Sequence, residues 1–246
     1  MKAMIFAAGL GTRLKPITDS IPKALVPISG KTLLEHVALK LIDAGFNDLV
    51  INVHHFSQQI IDFLKANNNF GVRIQVSDET DQLLDTGGGI RKATSFLQGN
   101  EPFLVHNVDI LSNVDLKAIW DTHNQTNADA TLLVSERQTQ RYLLFDQEEN
   151  MRLKGWTNIA TGEVKSPFPD FTPDGYARYA FAGIHVISPQ ILQSMANWPE
   201  KFPIMDFYLK EAEALHIQAN VANNLKMIDV GKINAIEQAE QFLKDN

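Results

Sequence analysis

Arg13, Lys23, Asp109 and Asp229 are the residues whose types and surroundings point most directly to chemistry. Arg13 ends the glycine turn Gly9-Leu10-Gly11-Thr12-Arg13, which follows the apolar stretch Ala3–Ala7; Lys23 comes ten residues later, between Pro22 and Pro27. Glycines let a backbone close on phosphate oxygens, an arginine matches those oxygens with a planar fork, and a lysine adds a movable point charge. The flanking prolines stiffen the lysine's loop. Free N–H groups and two fixed cations at one sheet edge are what a triphosphate needs. Asp109 and Asp229 each end an apolar run, in Asn107-Val108-Asp109 and Met227-Ile228-Asp229-Val230-Gly231. Carboxylates at strand ends of an open α/β sheet suit a magnesium ion, whose ligands are oxygens.

The two best-known glycine motifs do not account for these residues. Gly9-Leu10-Gly11 starts like a dinucleotide fingerprint, but Leu14 stands where the third glycine belongs. Gly30-Lys31-Thr32 ends like a P-loop, but Leu25 occupies the position of its first glycine.

The elements that must position these side chains alternate as strand and helix. Ala3–Ala7 and Leu49–Val53 are short apolar strands, and Val72–Val76 alternates like a third. Leu33, Leu34, Val37, Leu41 and Ile42 recur with helical period, with Gly45 as a stop and Ser57 as the cap of the next helix. Gly87-Gly88-Gly89 opens a helix through Leu97, Phe103–His106 is a buried strand, Asp115 begins another helix, and Ala130–Val134 is a further strand. This order predicts an α/β fold with a parallel sheet covered on both faces. After residue 140 the strands Tyr142–Phe145, Met151–Trp156 and Tyr179–Val186 are separated by polar loops, with prolines 167, 169 and 173 excluding helix or central strand over Pro167–Gly175. Helices are expected over Pro189–Met195, Met205–Ala214 and Ile233–Leu243, with a strand at Lys226–Val230. The reading is one domain over 1–246, a nucleotide-binding half (1–135) followed by a second half (136–246) that adds a lobe and closing elements.

With 29 acids against 22 bases the formal charge is −7, so nucleic acid is not an expected partner and any phosphate site is a local patch. The chain has no cysteine, which removes disulfides, thiolate metal sites and cysteine nucleophiles. The apolar start is followed by Gly11, Arg13 and Lys15 rather than a cleavage site, and no segment approaches the ~20 apolar residues of a membrane span. A cytoplasmic protein, monomer or homodimer, is expected.

The chain resembles the sugar-1-phosphate nucleotidyltransferases, which join a nucleoside triphosphate to a sugar 1-phosphate and release pyrophosphate. Their pattern G-x-G-T-R-L-x-P-x-T…P-K-x-L-x-P matches Gly9 to Thr18 and Pro22 to Pro27 without a gap. The resemblance implies their nucleotide-diphospho-sugar transferase fold, a Rossmann-like mixed, mainly parallel sheet sandwiched by helices, with a sugar-binding lobe. It implies that Arg13 holds the leaving pyrophosphate, that Lys23 neutralises the reacting phosphates, and that Ala8, Gly9, Gly11 and Thr12 contact the nucleotide. The stretch Asp85-Thr86-Gly87-Gly88-Gly89 is similar to the base-reading loop of N-acetylmuramate-1-phosphate uridylyltransferases, where mannose-using relatives more often carry G-T-A-G. Asp85, Thr86, Gly87 and Gly88, with Glu79 or Thr80, are thereby implied at the base. Asp109 and Asp229 become the two carboxylates of one Mg2+ site, with Val108 replacing the family's glycine and Lys232 its threonine. Asn107 and Gly183 are implied at the sugar phosphate. The family's E-K-P lysine has no evident match, and Lys154 stands nearest to it.

His54, His55 and His106 are expected in core or surface roles, since magnesium prefers oxygen and this chemistry needs no histidine. At this length no carboxy-terminal left-handed β-helix is expected, so the bifunctional acetyltransferase branch is not the expected one. Uridylyl transfer to N-acetylmuramate 1-phosphate is the leading reading, followed by guanylyl transfer to mannose 1-phosphate and thymidylyl or cytidylyl transfer to glucose 1-phosphate. Two rivals keep the same motifs: a non-catalytic nucleotide-sugar sensor, and an alcohol-group transferase such as a phosphocholine cytidylyltransferase.

Overall fold

The structure, a computed structural model, describes residues 1–245. Its first half comprises β1 (Lys2–Phe6), β2 (Pro27–Ile28), β3 (Lys31–Thr32), α1 (Leu33–Asp43), β4 (Asp48–Val53), α2 (Ser57–Ala66), β5 (Arg73–Asp78), α3 (Asp85–Lys92), α4 (Thr94–Leu97), β6 (Phe103–Asn107), β7 (Ile110–Ser112), α5 (Leu116–Asn124) and β8 (Ala130–Ser135). The second half adds β9 (Arg141–Asp146), β10 (Arg152–Asn158), β11 (Glu163–Lys165), β12 (Ala177–Ile187), α6 (Ile191–Met195), α7 (Ile204–Glu211), β13 (Ile217–Val221), β14 (Met227–Asp229) and α8 (Asn234–Asp245).

Ten strands form one sheet in the order β11-β10-β13-β8-β12-β6-β1-β4-β5, with β9 bridging β10 and β12. Pairing is parallel for β6-β1-β4-β5 and for β13 with β8, and antiparallel wherever β12 or β10 takes part. The parallel strands are linked through helices, whereas β9 to β12 fold back on one another as hairpins and need no crossover. The central strands β1, β4, β6 and β8 are buried on both faces. Along β1, Ala3 and Ile5 enter one core with Leu34, Val37 and Leu41 of α1, while Met4 enters the other with Ile90, Phe207 and Tyr208. That two-residue alternation between two apolar layers is why the strand reads as continuously hydrophobic.

Local chemistry sets the helix boundaries. The Thr32 hydroxyl accepts from the Glu35 N–H (3.1 Å) and opens α1, and Asp115 does the same for α5 through Ala118 (2.9 Å). Ser57 is not a cap: Phe56 holds that position in a left-handed conformation, and the Ser57 hydroxyl accepts from Thr80 instead (2.9 Å). The expected helix from Gly87 to Leu97 is broken at Ala93 into α3 and α4. Five short strands lack a clear sequence signal: β2, β3, β7, β11 and β13. Among the described residues no helix is long and apolar enough to cross a membrane.

Candidate active site

The site forms where β1, β6 and β14 end side by side. β1 and β6 run parallel in register up to Phe6 opposite Asn107, so the glycine turn and the Asn107-Val108-Asp109 segment leave the sheet at the same edge. β14 reaches that edge from the far end of the chain by pairing with β7, which puts Asp229 opposite Ile110. The Val230 N–H then bonds the Asp109 carbonyl (2.8 Å) and locks the two aspartate segments together.

The glycine turn is shaped by Gly11, which has φ +65°. A side chain there would lie 2.9 Å from the Thr18 methyl and 3.1 Å from Lys23 Cβ, so glycine lets the loop bearing Lys23 close against the turn bearing Arg13. The Thr18 hydroxyl donates back to the Gly11 carbonyl (2.8 Å). Thr12 and Arg13 remain exposed in a single 3-10 turn. Gly231 is the matching close approach on the other side, since a Cβ there would stand 2.8 Å from both Arg13 Nη2 and Asp229 Oδ1. Arg13 and Asp229 therefore meet around Gly231, while the Lys23 ammonium is paired with Asp109 Oδ2 in a mostly buried contact.

Three of these four charges act on Asp229. Crowding by surrounding protein and then the Asp109 carboxylate raise its pKa above the ordinary carboxylate value, against the opposing pull of Lys23, Arg13 and Arg137. Two carboxylates forced together in this way fit a hard cation. Among the described residues no third acid or histidine joins them, so a bound magnesium would take its remaining oxygens from water and substrate phosphate.

Beside this cluster lies a cleft of about 300 Å³, lined by Ala8, Gly9, Lys23, Asp85, Thr86 and Asp109 among others. Gly9 faces open space, while Val108 forms apolar wall and joins the core behind it. Glu79 also borders the cleft, but its side chain is fully buried. One Glu79 carboxylate oxygen accepts from Asn52 Nδ2 (2.7 Å) and the other from the Leu84 N–H (3.2 Å), and Asn52 Oδ1 accepts from the Ala7 N–H (2.8 Å). Burial pushes the Glu79 pKa up, and the Asn52 and Leu84 hydrogen bonds hold it back. In this arrangement Glu79 ties the glycine turn to the loop over the cleft. Gly89 accommodates the pair, as a Cβ there would lie 2.9 Å from Glu79 and 3.0 Å from Asn52.

Gly87 and Gly88 are turned away from the cleft. Their N–H groups bond the Phe202 carbonyl (2.8 and 3.2 Å), and a side chain on either would strike Phe202 or the Glu200 carbonyl. The glycine run thus packs α3 against the segment before α7, leaving Asp85 and Thr86 as its cleft-facing members. Asn107 and Gly183 do come together: Gly183, with φ +76°, sits where a Cβ would be 2.8 Å from Asn107 Nδ2.

Lys154 does not reach the site. It is the extra residue at the irregularity between Leu153 and Gly155 in β10, and its buried ammonium bonds Glu149 (2.8 Å) and lies over the Phe168 ring (4.8 Å). In this lobe the lysine facing a cavity is Lys165 of β11, in a second cleft of about 480 Å³ that includes Arg137, Trp156 and Phe181. Arg137 donates to the Phe181 carbonyl (3.1 Å) and bears electrostatically on Asp229, which links this cleft to the aspartate cluster. The signal for Lys165 is Glu163-Val164-Lys165-Ser166-Pro167, an interrupted form of E-K-P. His106 is a core residue with Nδ1 2.7 Å from the Asn107 carbonyl, and desolvation lowers its pKa to about 4.

The fold and this cluster define a sugar-phosphate nucleotidyltransferase, and the comparisons agree. The chain belongs to the nucleotidyl transferase family, whose model matches residues 2–246. It is 34% identical over 210 residues to the N-acetylmuramate alpha-1-phosphate uridylyltransferase of Caulobacter vibrioides, covering 80% of this chain and 79% of that one. It is 43% identical over 122 residues to the protein of the same name from Neisseria meningitidis serogroup B, covering 50% of this chain and 52% of that one. A UDP-glucose pyrophosphorylase solved with UDP-glucose superposes with a TM-score of 0.79 at 20% identity, covering 100% of this chain and 99% of the other, which shows the shared fold.

Proposed function

We propose that this enzyme transfers the uridylyl group of UTP to N-acetylmuramate 1-phosphate, giving the UDP-sugar and pyrophosphate, with Mg2+ as cofactor. The observation that carries the reaction class is the meeting of Arg13, Lys23, Asp109 and Asp229 from three separate strand ends at the mouth of the first cleft. The choice of sugar rests on Asp85-Thr86-Gly87-Gly88-Gly89 and on the names of the two relatives above. A nucleoside triphosphate donor also fits a cytoplasmic enzyme.

The reaction is an in-line attack by a phosphate oxygen of the sugar 1-phosphate on the α-phosphorus of the triphosphate. The bond from that phosphorus to the bridging oxygen breaks, and pyrophosphate leaves with the electron pair. The attacking phosphate has its second pKa near 6, so it is largely dianionic at neutral pH and needs no general base. The protein's work is to bring two polyanions together and stabilise the added transition-state charge. Arg13, exposed beside the cluster, would hold the departing pyrophosphate. Lys23, paired with Asp109, would neutralise the reacting phosphates. Asp109 and Asp229 would hold the magnesium, which neutralises phosphate charge when bound. Ala8, Gly9, Asp85 and Thr86 border the first cleft and would contact the nucleotide, and Asn107 with Gly183 packed against it, and Lys165 of the second cleft, would serve the sugar phosphate.

A matrix of UTP, GTP, dTTP and CTP against N-acetylmuramate, mannose and glucose 1-phosphates, read as pyrophosphate release with magnesium, tests this assignment. Highest kcat/KM for UTP with N-acetylmuramate 1-phosphate is expected. Preference for GTP with mannose 1-phosphate would overturn the substrate choice, and tight nucleotide-sugar binding without turnover on any pair would overturn the enzyme.

A further inference from the structure

The helix α7 starts without a cap of its own. Its first turn carries backbone N–H groups that no intrahelical carbonyl can take, and Pro203, which precedes it, offers no side-chain acceptor. The acceptor comes instead from a residue 118 positions earlier: Thr86 Oγ1 receives the Ile204 N–H (2.9 Å). Three backbone bonds hold the same two segments together. Phe202 donates its N–H to the Leu84 carbonyl (3.2 Å), and the Phe202 carbonyl accepts from Gly87 and Gly88 (2.8 and 3.2 Å).

The two segments border different clefts. Asp85 and Thr86 line the first. Met205 and Asp206, in the first turn of α7, and Leu209 one turn further on, line the second together with Lys165. Asp206 stands 4.0 Å from the Lys165 ammonium. On the other side of the helix Phe207 and Tyr208 are seated in the core, with Tyr208 Oη 2.7 Å from His185 Nδ1. The body of α7 is thus held by packing, whereas the turn that borders the second cleft is completed by a hydroxyl from the first.

We propose that Thr86 is a positioning residue for the sugar phosphate: by capping α7 it sets Asp206 against Lys165, so that the second cleft takes its shape from the loop at the first. This role rests on the proposed seating of the nucleotide in the first cleft and of the sugar phosphate in the second. A hydroxyl is what the place requires, since threonine or serine can accept the Ile204 N–H and valine, of nearly the same shape, cannot. Asp206 in turn opposes the Lys165 charge, and its position decides how the ammonium is presented to a phosphate.

The test compares wild type, Thr86→Val and Thr86→Ser in pyrophosphate release, with UTP saturating and N-acetylmuramate 1-phosphate varied, or the pair that the substrate matrix prefers; melting curves verify the fold. Thr86→Val is expected to raise the KM for the sugar phosphate about three- to tenfold, the worth of one capping hydrogen bond, with little change in kcat, and Thr86→Ser to restore it. Amide hydrogen exchange over residues 202–206 should quicken in Thr86→Val and not in Thr86→Ser. A sugar-phosphate KM that stays at the wild-type value in a folded Thr86→Val protein, or that rises equally in both variants, would overturn the role of Thr86. Lys165→Gln distinguishes this failure from that of the seating beneath it: a raised sugar-phosphate KM there supports the second cleft as the sugar side, and an unchanged one overturns both.

Discussion

Replacing Asn52 by alanine removes the link between the two halves of the nucleotide cleft. In the native protein Asn52 Oδ1 accepts from the Ala7 N–H and Nδ2 donates to Glu79, all within buried surroundings. The substitution leaves a backbone N–H and one carboxylate oxygen without partners. Each such orphan costs ~1–3 kcal/mol, so about 4 kcal/mol of stability is expected to be lost. For a protein of this size that corresponds to a fall in Tm of roughly 8–16 °C, read by circular dichroism. Ala8 and Gly9 follow directly from Ala7, and Leu84 hangs from the other Glu79 oxygen, so both walls of the cleft lose their common anchor. The KM for UTP should rise about tenfold, one hydrogen bond's worth, measured by pyrophosphate release at a temperature where the variant is folded. A Tm within about 3 °C of wild type together with an unchanged KM would refute the coupling, because a peripheral amide costs less than about 1 kcal/mol.

Four further outcomes are expected. Asp109→Ala should lower turnover by two or more orders of magnitude, the ~3–4 kcal/mol of a lost positioned charge, without unfolding, and near-normal pyrophosphate release would sink the metal assignment. Lys23→Gln should strengthen binding of Mn2+ to the nucleotide-free protein, followed by electron paramagnetic resonance, because the ammonium paired with Asp109 repels an incoming cation; equal or weaker binding would contradict this. Gly183→Ala forces a side chain into a left-handed backbone at ~1–2 kcal/mol and against Asn107, so the KM for the sugar phosphate should rise more than that for UTP, and equal rises would argue against a sugar-side role. Acid should destabilise the protein below pH 6.5: burial lowers His106 and His123 to about 4 and His185 to about 3 in the fold, so their contribution is complete above the unfolded value of 6.5 and is lost as pH falls toward the folded values. By pH 5.5 the three together cost about 4 kcal/mol, and an unchanged urea midpoint between pH 7.5 and 5.5 would refute it.

The four charged residues could be picked out from the sequence because each lies in a short contiguous pattern, and because strand ends in an open α/β sheet converge. The roles that escaped notice depend on contacts between distant segments. Asn52 looks like an ordinary polar strand end, and Glu79 is expected at the base, until β4 and β5 align the two beneath Ala7. The role of Gly87 and Gly88 is set by Phe202, which nothing in the local glycine pattern signals. Lys154 stays out of the cleft because one extra residue in β10 moves it out of the alternation that carries Trp156 and Asn158 there. The hairpin partner β11 is three residues long, too short for a period to register, yet it carries Lys165.

The strand β12 has a mechanical consequence. Its first residues bond β9 in the lobe, its last four bond β6 beside the aspartates, and the register between Phe181 and His185 is interrupted around Gly183. It is therefore one continuous strut between the lobe and the segment that ends in Asp109, with Gly183 seated on Asn107 at the joint. A side chain at that joint would wedge the strut away from the Asp109 segment, so the fit of the two halves of the molecule depends on a single missing Cβ.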